Sequence, residues 1–240
     1  MKKIIAVMIM ILSVFSVVKN SFAIPALQLY IEGSQYDTAT SSWIVNSNTF
    51  KLWILGDVGN RGSIFDVKLV AAYDSNDTGN IDLVPTTATS GLLPFPGDPS
   101  IPVLPTYYQS GSDIPPLNDA GEPLPPHGIY GPGVSWNTYK LGDFTAKDSP
   151  IGDYTNGDCP DGSCTYSDKW GQINAYDVTI NGYEWVHFDA FDHVISGNKV
   201  RYIFAPFSHD AFSNETPEPA TLTLLGLGLI GLAGARRKKS

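Results

Sequence analysis

The 240-residue chain carries 15 Lys and Arg against 24 Asp and Glu, and seven of the basic residues lie near its two ends. Between residue 24 and Thr216 there remain 8 basic and 23 acidic residues, a net charge near −15. Such a segment repels phosphate backbones and anionic membrane surfaces, which excludes nucleic acid as its partner. The acidity suits divalent cations, or simply solubility outside the cell.

The first 23 residues have the pattern of a secretory signal peptide. Lys2 and Lys3 precede an apolar run over residues 4–18, and Ser21-Phe22-Ala23 places small residues at both cleavage-site positions. A first transmembrane helix is the alternative, but the run is only fifteen residues long and no stop-transfer cluster follows it. We therefore expect signal peptidase to cleave after Ala23.

Residues 24–213 are predicted to form one extracellular all-β domain. Leu27, Leu29 and Ile31 alternate with larger polar side chains, and residues 42–45, 49–55 and 134–144 are rich in β-formers. In residues 64–73 the alternation places Phe65, Val67, Leu69 and Ala71 on one face. No stretch keeps a helical period for three turns. The pattern predicts an antiparallel, jelly-roll-like β-sandwich.

A proline-rich excursion interrupts the strands. Twelve of the 18 prolines lie between Pro85 and Pro132. Proline fixes φ and removes a ladder donor, so we expect extended or polyproline pieces here rather than a regular sheet. The excursion would cap the sandwich or frame a binding groove.

An acidic turn in residues 74–82 resembles the first part of an EF-hand calcium loop. Its oxygen ligands fall at alternate positions, and Gly79 permits a sharp turn, but the twelfth position is Pro85 rather than Glu. No helices flank it, and an Asp/Asn/Gly turn between two strands explains the same residues. Calcium is therefore one of two interpretations of this turn, with four candidate ligands: Asp74, Asn76, Thr78 and Asp82.

The two cysteines, Cys159 and Cys164, are separated by Pro-Asp-Gly-Ser. Export places them in an oxidising compartment, and Pro and Asp-Gly bend the chain enough to bring the sulfurs together. We expect a disulfide that pins a surface loop. Zinc would need further ligands, and redox motifs usually have two intervening residues.

Three strands are predicted to form a meander after the cysteine loop. Residues 172–180 and 183–191 flank Asn181-Gly182, a pair typical of a type I′ hairpin, and Ser196-Gly197-Asn198-Lys199 reverses the chain again. We expect this meander to be the central sheet of the fold.

Candidates for chemistry lie on this meander. Alternation places His187, Asp189 and His193 on one face, and a turn that sets Ile195 opposite Val200 would bring His187 near Ser208 and His209. A patch of His187, Asp189, His209 and Asp210 would suit a transition metal or acid–base work. The alternative is core packing with hydrogen-bonded polar tips. The sequence has no nucleophile elbow, zinc-protease helix motif or phosphate-binding loop, so we expect no enzyme and no resident cofactor.

The tail has three parts in fixed order: Pro217-Glu218-Pro219, an uncharged apolar run over residues 220–235, and Arg236-Arg237-Lys238-Lys239. As a helix the run spans roughly 24 Å, short of the roughly 30 Å of hydrocarbon in a bilayer, and the cations would stay on the cytoplasmic side. Residues 214–240 resemble the PEP-CTERM sorting signal. The resemblance implies an exosortase as partner, cleavage near Pro-Glu-Pro, transient anchoring in the inner membrane of an exopolysaccharide-producing Gram-negative bacterium, and a final place at the cell surface or matrix.

Four short blocks resemble the choice-of-anchor N proteins, surface proteins of unassigned activity. They are residues 127–130, 141–144, 186–192 and 204–211. This resemblance implies a module delivered to the surface and supplies no reaction. We expect a structural or adhesive role in the exopolysaccharide layer. A carbohydrate-binding module is the alternative, since five Trp and many Tyr would supply stacking platforms. A secreted hydrolase using the His and Asp residues of the meander is the third possibility.

Overall fold

The computed structural model describes residues 24–86, 103–125, 128–156, 170–206 and 210–214, which form thirteen strands in two sheets with almost no helix. Sheet A has the order β1 (Leu27–Ile31), β4 (Thr49–Gly56), β10 (Trp170–Asn181) and β6 (Asn80–Thr86), and β9 (Ser149–Pro150) pairs with β10. Sheet B has the order β2 (Gln35–Asp37), β3 (Ser42–Val45), β13 (Asp210–Asn214), β11 (Trp185–Ser196), β5 (Ile64–Asp74), β8 (Val134–Phe144) and β7 (Thr106–Ser112), and β12 (Lys199–Phe204) pairs with β11. Helix α1 (Val58–Arg61) and a 3-10 turn (Tyr154–Asn156) complete the elements.

One apolar cluster joins the two sheets. Leu52, Ile54 and Val178 enter it from sheet A, and Leu69 and Phe188 enter it from sheet B. All five are essentially inaccessible to solvent. The two sheets therefore pack face to face on a shared core, as alternation along their strands requires.

The outer faces of both sheets are also covered. Ile151 and Tyr154 pack with Trp53 on the outer side of sheet A, and Leu124 and Tyr130 pack on the outer side of sheet B. Because each face has a cover, strands such as β1 and β11 are buried almost continuously. Polar side chains on the outer face of sheet B are consequently enclosed.

The proline-rich excursion supplies the cover of sheet B, but part of it is a strand. β7 pairs with β8, and β6 runs through Pro85 to Thr86. The expectation of no regular sheet is wrong for these residues. β7 contains no proline, and β6 is the edge strand of sheet A, where a missing N–H donor is tolerated. Residues 87–102 and 126–127 lie outside the described part of the chain.

The hairpin between β11 and β12 confirms one predicted turn, with Ile195 opposite Val200. The predicted type I′ hairpin at Asn181-Gly182 is wrong. β10 belongs to sheet A and β11 to sheet B, so this link crosses from one sheet to the other. Both strands bury both faces, so alternation did not specify their partners.

The strand pairs in the described residues are antiparallel except for β3 and β13, which are parallel. Sheet B is therefore mixed, and the expectation of a wholly antiparallel sandwich fails at this pair. In the described ranges, no helix is long and apolar enough to cross a membrane. The predicted signal peptide, residues 1–23, and the predicted transmembrane segment, residues 220–235, lie outside those ranges.

Candidate binding pocket and buried polar clusters

A pocket of about 390 Å³ opens on the outer face of sheet B. Strand register builds it: His187 of β11 lies opposite Phe212 of β13, and Phe212 lies opposite Ile44 of β3. The excursion contributes Ile129. The full lining is Thr40, Ser42, Ile44, Ile129, His187, Asp210, Phe212 and Asn214.

A buried imidazole and a buried carboxyl group lie side by side in this lining. The side chains of His187 and Asp210 are 3% and 1% exposed, and Nε2 of His187 lies 3.4 Å from Oδ2 of Asp210. Within the described residues, neither ring nitrogen of His187 has a hydrogen-bond partner. A ligand with a hydroxyl or amide group would satisfy the imidazole.

An aromatic pair flanks the His187–Asp210 pair. The rings of Trp185 and Phe212 stack with centroids 5.9 Å apart and planes 10° apart. The His187 ring lies 6.2 Å from that of Phe212. The pocket thus combines apolar walls with a few convergent polar groups, the usual composition of a small-ligand site.

Asp189 lies on the same strand as His187 but does not line the pocket. It is fully buried, Oδ1 accepts the Ala190 N–H at 2.7 Å, and the Tyr130 hydroxyl donates to Oδ2 at 3.5 Å. Burial, and then the charge of Asp210, raise the pKa of Asp189 well above its ordinary value. Burial and the Asp189 charge also raise the pKa of Tyr130. Asp189 therefore ties the covering segment to sheet B.

Asp189→Asn is expected to remove part of the pH dependence of stability. Because the native pKa of Asp189 is raised, the fold binds this proton more tightly than the unfolded chain does. The associated stability is fully present below the unfolded pKa and is lost as the pH rises toward the native pKa, by at most about 1.4 kcal/mol per pH unit for one proton. Urea unfolding across this window should give a flatter profile for the variant. Asp82→Asn, at an exposed position, is the control; an Asp189→Asn profile as steep as the wild type would contradict the assignment.

A second polar cluster surrounds Lys68 on β5. Its ammonium is fully buried and contacts Asp192, which is also fully buried. Nζ also lies 3.0 Å from Oδ2 of Asp66 and 3.1 Å from Oδ2 of Asp119. Burial lowers the pKa of Lys68, but hydrogen bonds to Asp192 and Asp66 outweigh it and raise the pKa overall. Burial raises the pKa of Asp192 despite opposing hydrogen bonds from Lys68 and His193.

The structure separates the predicted histidine patch. His193 lies six residues beyond His187 on β11, past a bulge between Phe191 and His193, and a strand rises roughly 3.3 Å per residue. Nδ1 of His193 contacts Asp192, and its ring stacks on Phe65. His187 faces Phe212 rather than Ser208, because β12 ends at Phe204 and β13 begins only at Asp210. The observed partner of His187 therefore lies four residues further along the chain than the expected one. His209 lies outside the described residues.

The candidate calcium residues lie at and around the turn between β5 and β6: Asp74 ends β5, Asn76 and Thr78 lie in the turn, and Asp82 lies in β6. Oδ1 of Asp74 accepts the backbone and side-chain N–H groups of Asn76 at 2.8 and 2.9 Å. Asn80 donates to Oδ2 of Asp82 at 2.9 Å. These bonds are typical of a turn that links two sheets. Thr78 is exposed beside them.

Elsewhere in the described residues, Asp119, Asp192 and His193 present ligand atoms within 4.8 Å of one another. The Lys68 ammonium already contacts two of these carboxylates and supplies the opposing charge. We therefore interpret the group as part of the Lys68 cluster. The sequence pattern gave no sign of this cluster, since Lys68 is a single cation inside a predicted strand.

Several predicted residues fall outside the described ranges: Cys159, Cys164, Pro217, Glu218, Pro219, Arg236 and Arg237. Their disulfide and sorting roles are not placed by the structure. The tail is instead identified by comparison, because residues 215–238 match the PEP-CTERM protein-sorting motif.

The motif defines the class of protein: an exported chain, transiently anchored in the membrane and processed by an exosortase before sorting to the cell surface. The match covers the tail alone and leaves the activity of the β domain unassigned. No curated protein matches the chain.

Two solved structures resemble the chain weakly. One, titled "AvmM Catalyzes Macrocyclization in Alchivemycin A Biosynthesis", is 11% identical, covers 80% of this chain and 91% of its own, and has a TM-score of 0.33. The C-terminal domain of the AgI/II polypeptide BspA from Streptococcus agalactiae is 9% identical, with 79% and 50% covered and a TM-score of 0.21. At these TM-scores, neither likeness carries an argument about fold or function.

Proposed function

We propose that the processed protein is a non-enzymatic adhesive component of the exopolysaccharide layer of a Gram-negative bacterium, and that it holds polysaccharide in the pocket on sheet B. The observation that carries this proposal is the stacked pair of Trp185 and Phe212 beside the His187–Asp210 pair. Sugar rings have apolar faces that stack on aromatic side chains, and hydroxyl groups that bond to carboxylates, amides and imidazoles. The sorting motif supports it by directing the protein to the cell surface.

The aromatic platform is smaller than the tryptophan count suggested. Trp43, Trp53 and Trp136 are buried and belong to the packed core. Trp185 is partly exposed and stacks on Phe212 of the pocket lining, whereas Trp170 is exposed at the start of β10. Carbohydrate recognition is therefore argued from one stacked pair and its polar neighbours. The resemblance to choice-of-anchor N proteins agrees with a surface role and supplies no reaction.

Phe212→Ala is expected to weaken polysaccharide binding by up to about tenfold, because an aromatic contact contributes about 0.5–1.5 kcal/mol beyond its area. Glycan arrays followed by calorimetric titration would measure the loss. Tyr107→Ala is the matched control, since this ring is 61% exposed on β7 and does not line the pocket. Unchanged affinity in a correctly folded Phe212→Ala protein would contradict the proposed site.

A secreted hydrolase is the second candidate, because His187 and Asp210 resemble a base and its orienting carboxylate. Ser42 lines the same pocket, but its hydroxyl donates to the Thr40 carbonyl at 3.2 Å. Asp189, the carboxyl with a raised pKa, does not line the pocket. We expect no polymer cleavage; release of reducing ends that is lost in His187→Ala would favour the hydrolase instead.

A further inference from the structure

We propose that Lys68 and Asp192 are joined by an isopeptide bond between Nζ of the lysine and Cγ of the aspartate. The two residues lie on neighbouring strands, with Lys68 opposite Phe191. The bulge between Phe191 and His193 lets Asp192 reach the face on which Lys68 lies. Both side chains are 0% exposed, and their reacting groups are in direct contact.

The surroundings favour a neutral amide over two charges. The Phe191 and Tyr108 rings lie 5.5 and 5.3 Å from Nζ and help to exclude water. Burying an ammonium and a carboxylate costs several kcal/mol per ion, and a geometrically fixed pair reacts as if at an effective concentration of up to about 10⁵–10⁸ M. Both effects favour condensation, which is unfavourable for the free groups in water.

The neighbouring groups can move the protons that condensation requires. Asp66 and Asp119, at 3.0 and 3.1 Å from Nζ, can accept a proton from the ammonium, so that the neutral amine attacks Cγ of Asp192. His193 contacts Oδ1 of Asp192 through Nδ1 and can protonate the departing oxygen.

The step is balanced in atoms and electrons. The N–Cγ bond forms and one Cγ–O bond breaks. One hydrogen stays on the amide nitrogen and two leave with the oxygen as water. No oxidant, reductant or activating group is consumed, and the assisting carboxylate and imidazole return to their starting protonation states.

The bond would covalently tie β5 to β11, two adjacent strands within sheet B. Asp119 belongs to the covering excursion and its side chain is 33% exposed, so it can exchange protons with solvent. Formation of the isopeptide bond therefore requires the excursion to be packed on sheet B, so the bond should form only after the domain has folded.

The test is the mass of the processed protein after denaturation, reduction and alkylation of its thiols. We expect a mass lower than that of its sequence by one water, about 18 Da, and a digest in which the peptides of Lys68 and Asp192 stay joined. The full sequence mass, with separate peptides, would overturn the proposal and leave an ion pair. The partly exposed pair of Lys51 and Asp177, 3.3 Å apart, is the internal control and should lose no water.

Two variants keep this test independent of misfolding. Lys68→Met combined with Asp192→Leu removes both charges together, so it should fold and show its full mass. Asp119→Asn changes a partly exposed residue, so the fold should persist while the unreacted mass accumulates. Complete water loss at the wild-type rate in Asp119→Asn combined with Asp66→Asn would overturn the assigned proton transfer.

Discussion

Glu218→Ala is expected to leave the protein unprocessed and held in the membrane. Glu218 is the only charged residue in Pro217-Glu218-Pro219. The matched motif, residues 215–238, begins two residues before this element. The apolar run over residues 220–235 and the four cations behind it would still halt export. Without recognition by the exosortase, a transient anchor becomes the final one.

Membrane fractionation and the mass of the C-terminal peptide would measure this effect, which should be close to complete. Glu215→Ala is a matched control, since Glu215 is the same residue type three positions earlier and lies outside Pro-Glu-Pro. Release of Glu218→Ala at the wild-type level would show that the motif does not direct processing in this chain.

Phe188→Ala is expected to destabilise the β domain by about 3–5 kcal/mol, the usual cost of removing a buried aromatic side chain. Phe188 is fully buried between the sheets, and its ring lies 6.0 Å from that of Phe50 in an edge-to-face arrangement. The cavity would open at the junction of the two sheets, where collapse is restricted by strands on both sides.

Urea unfolding of the two proteins would measure this loss. Ile195→Ala, on the same strand but 51% exposed, should change stability by much less. A loss below about 1 kcal/mol for Phe188→Ala would be typical of a surface position and would contradict the shared core.

Alternation and turn chemistry predicted much of the secondary structure. The strand over residues 64–73 points Val67, Leu69 and Ala71 into the core as expected. Phe65 does not join this core cluster, because the alternation breaks at the next residue. Asp66 has a left-handed φ of +53° where the pairing of β5 with β8 is irregular. A bulge of this kind changes which face a side chain occupies and leaves no clear mark in the hydrophobic pattern.

Strand partners were harder to predict than strands. The turn between β11 and β12 joins two neighbours in one sheet, so local chemistry sufficed. Gly182 is also a turn glycine with a positive φ, +77°, but the turn that contains it connects β10 in sheet A to β11 in sheet B. Strands covered on both faces have no polar side to distinguish one partner from another.

The candidate pocket was predictable only in part. His187 and Asp210 were expected to lie in one patch, and the structure places them 3.4 Å apart. The apolar wall was not predicted. The expected register placed Ser208 opposite His187, whereas the break between β12 and β13 places Phe212 there, four residues further along the chain. Ile129 enters from the excursion, a contact that is distant in sequence and has no local signal.

The proposed role of the pocket is tested most directly by NMR of the processed protein titrated with oligosaccharides from the producing cell's own exopolysaccharide. If the pocket binds polysaccharide, the ring signals of His187 and Phe212 should shift in a saturable way, while those of Tyr107 stay unchanged. Saturable shifts confined to other residues, or no shifts at all, would contradict a polysaccharide-binding site on sheet B.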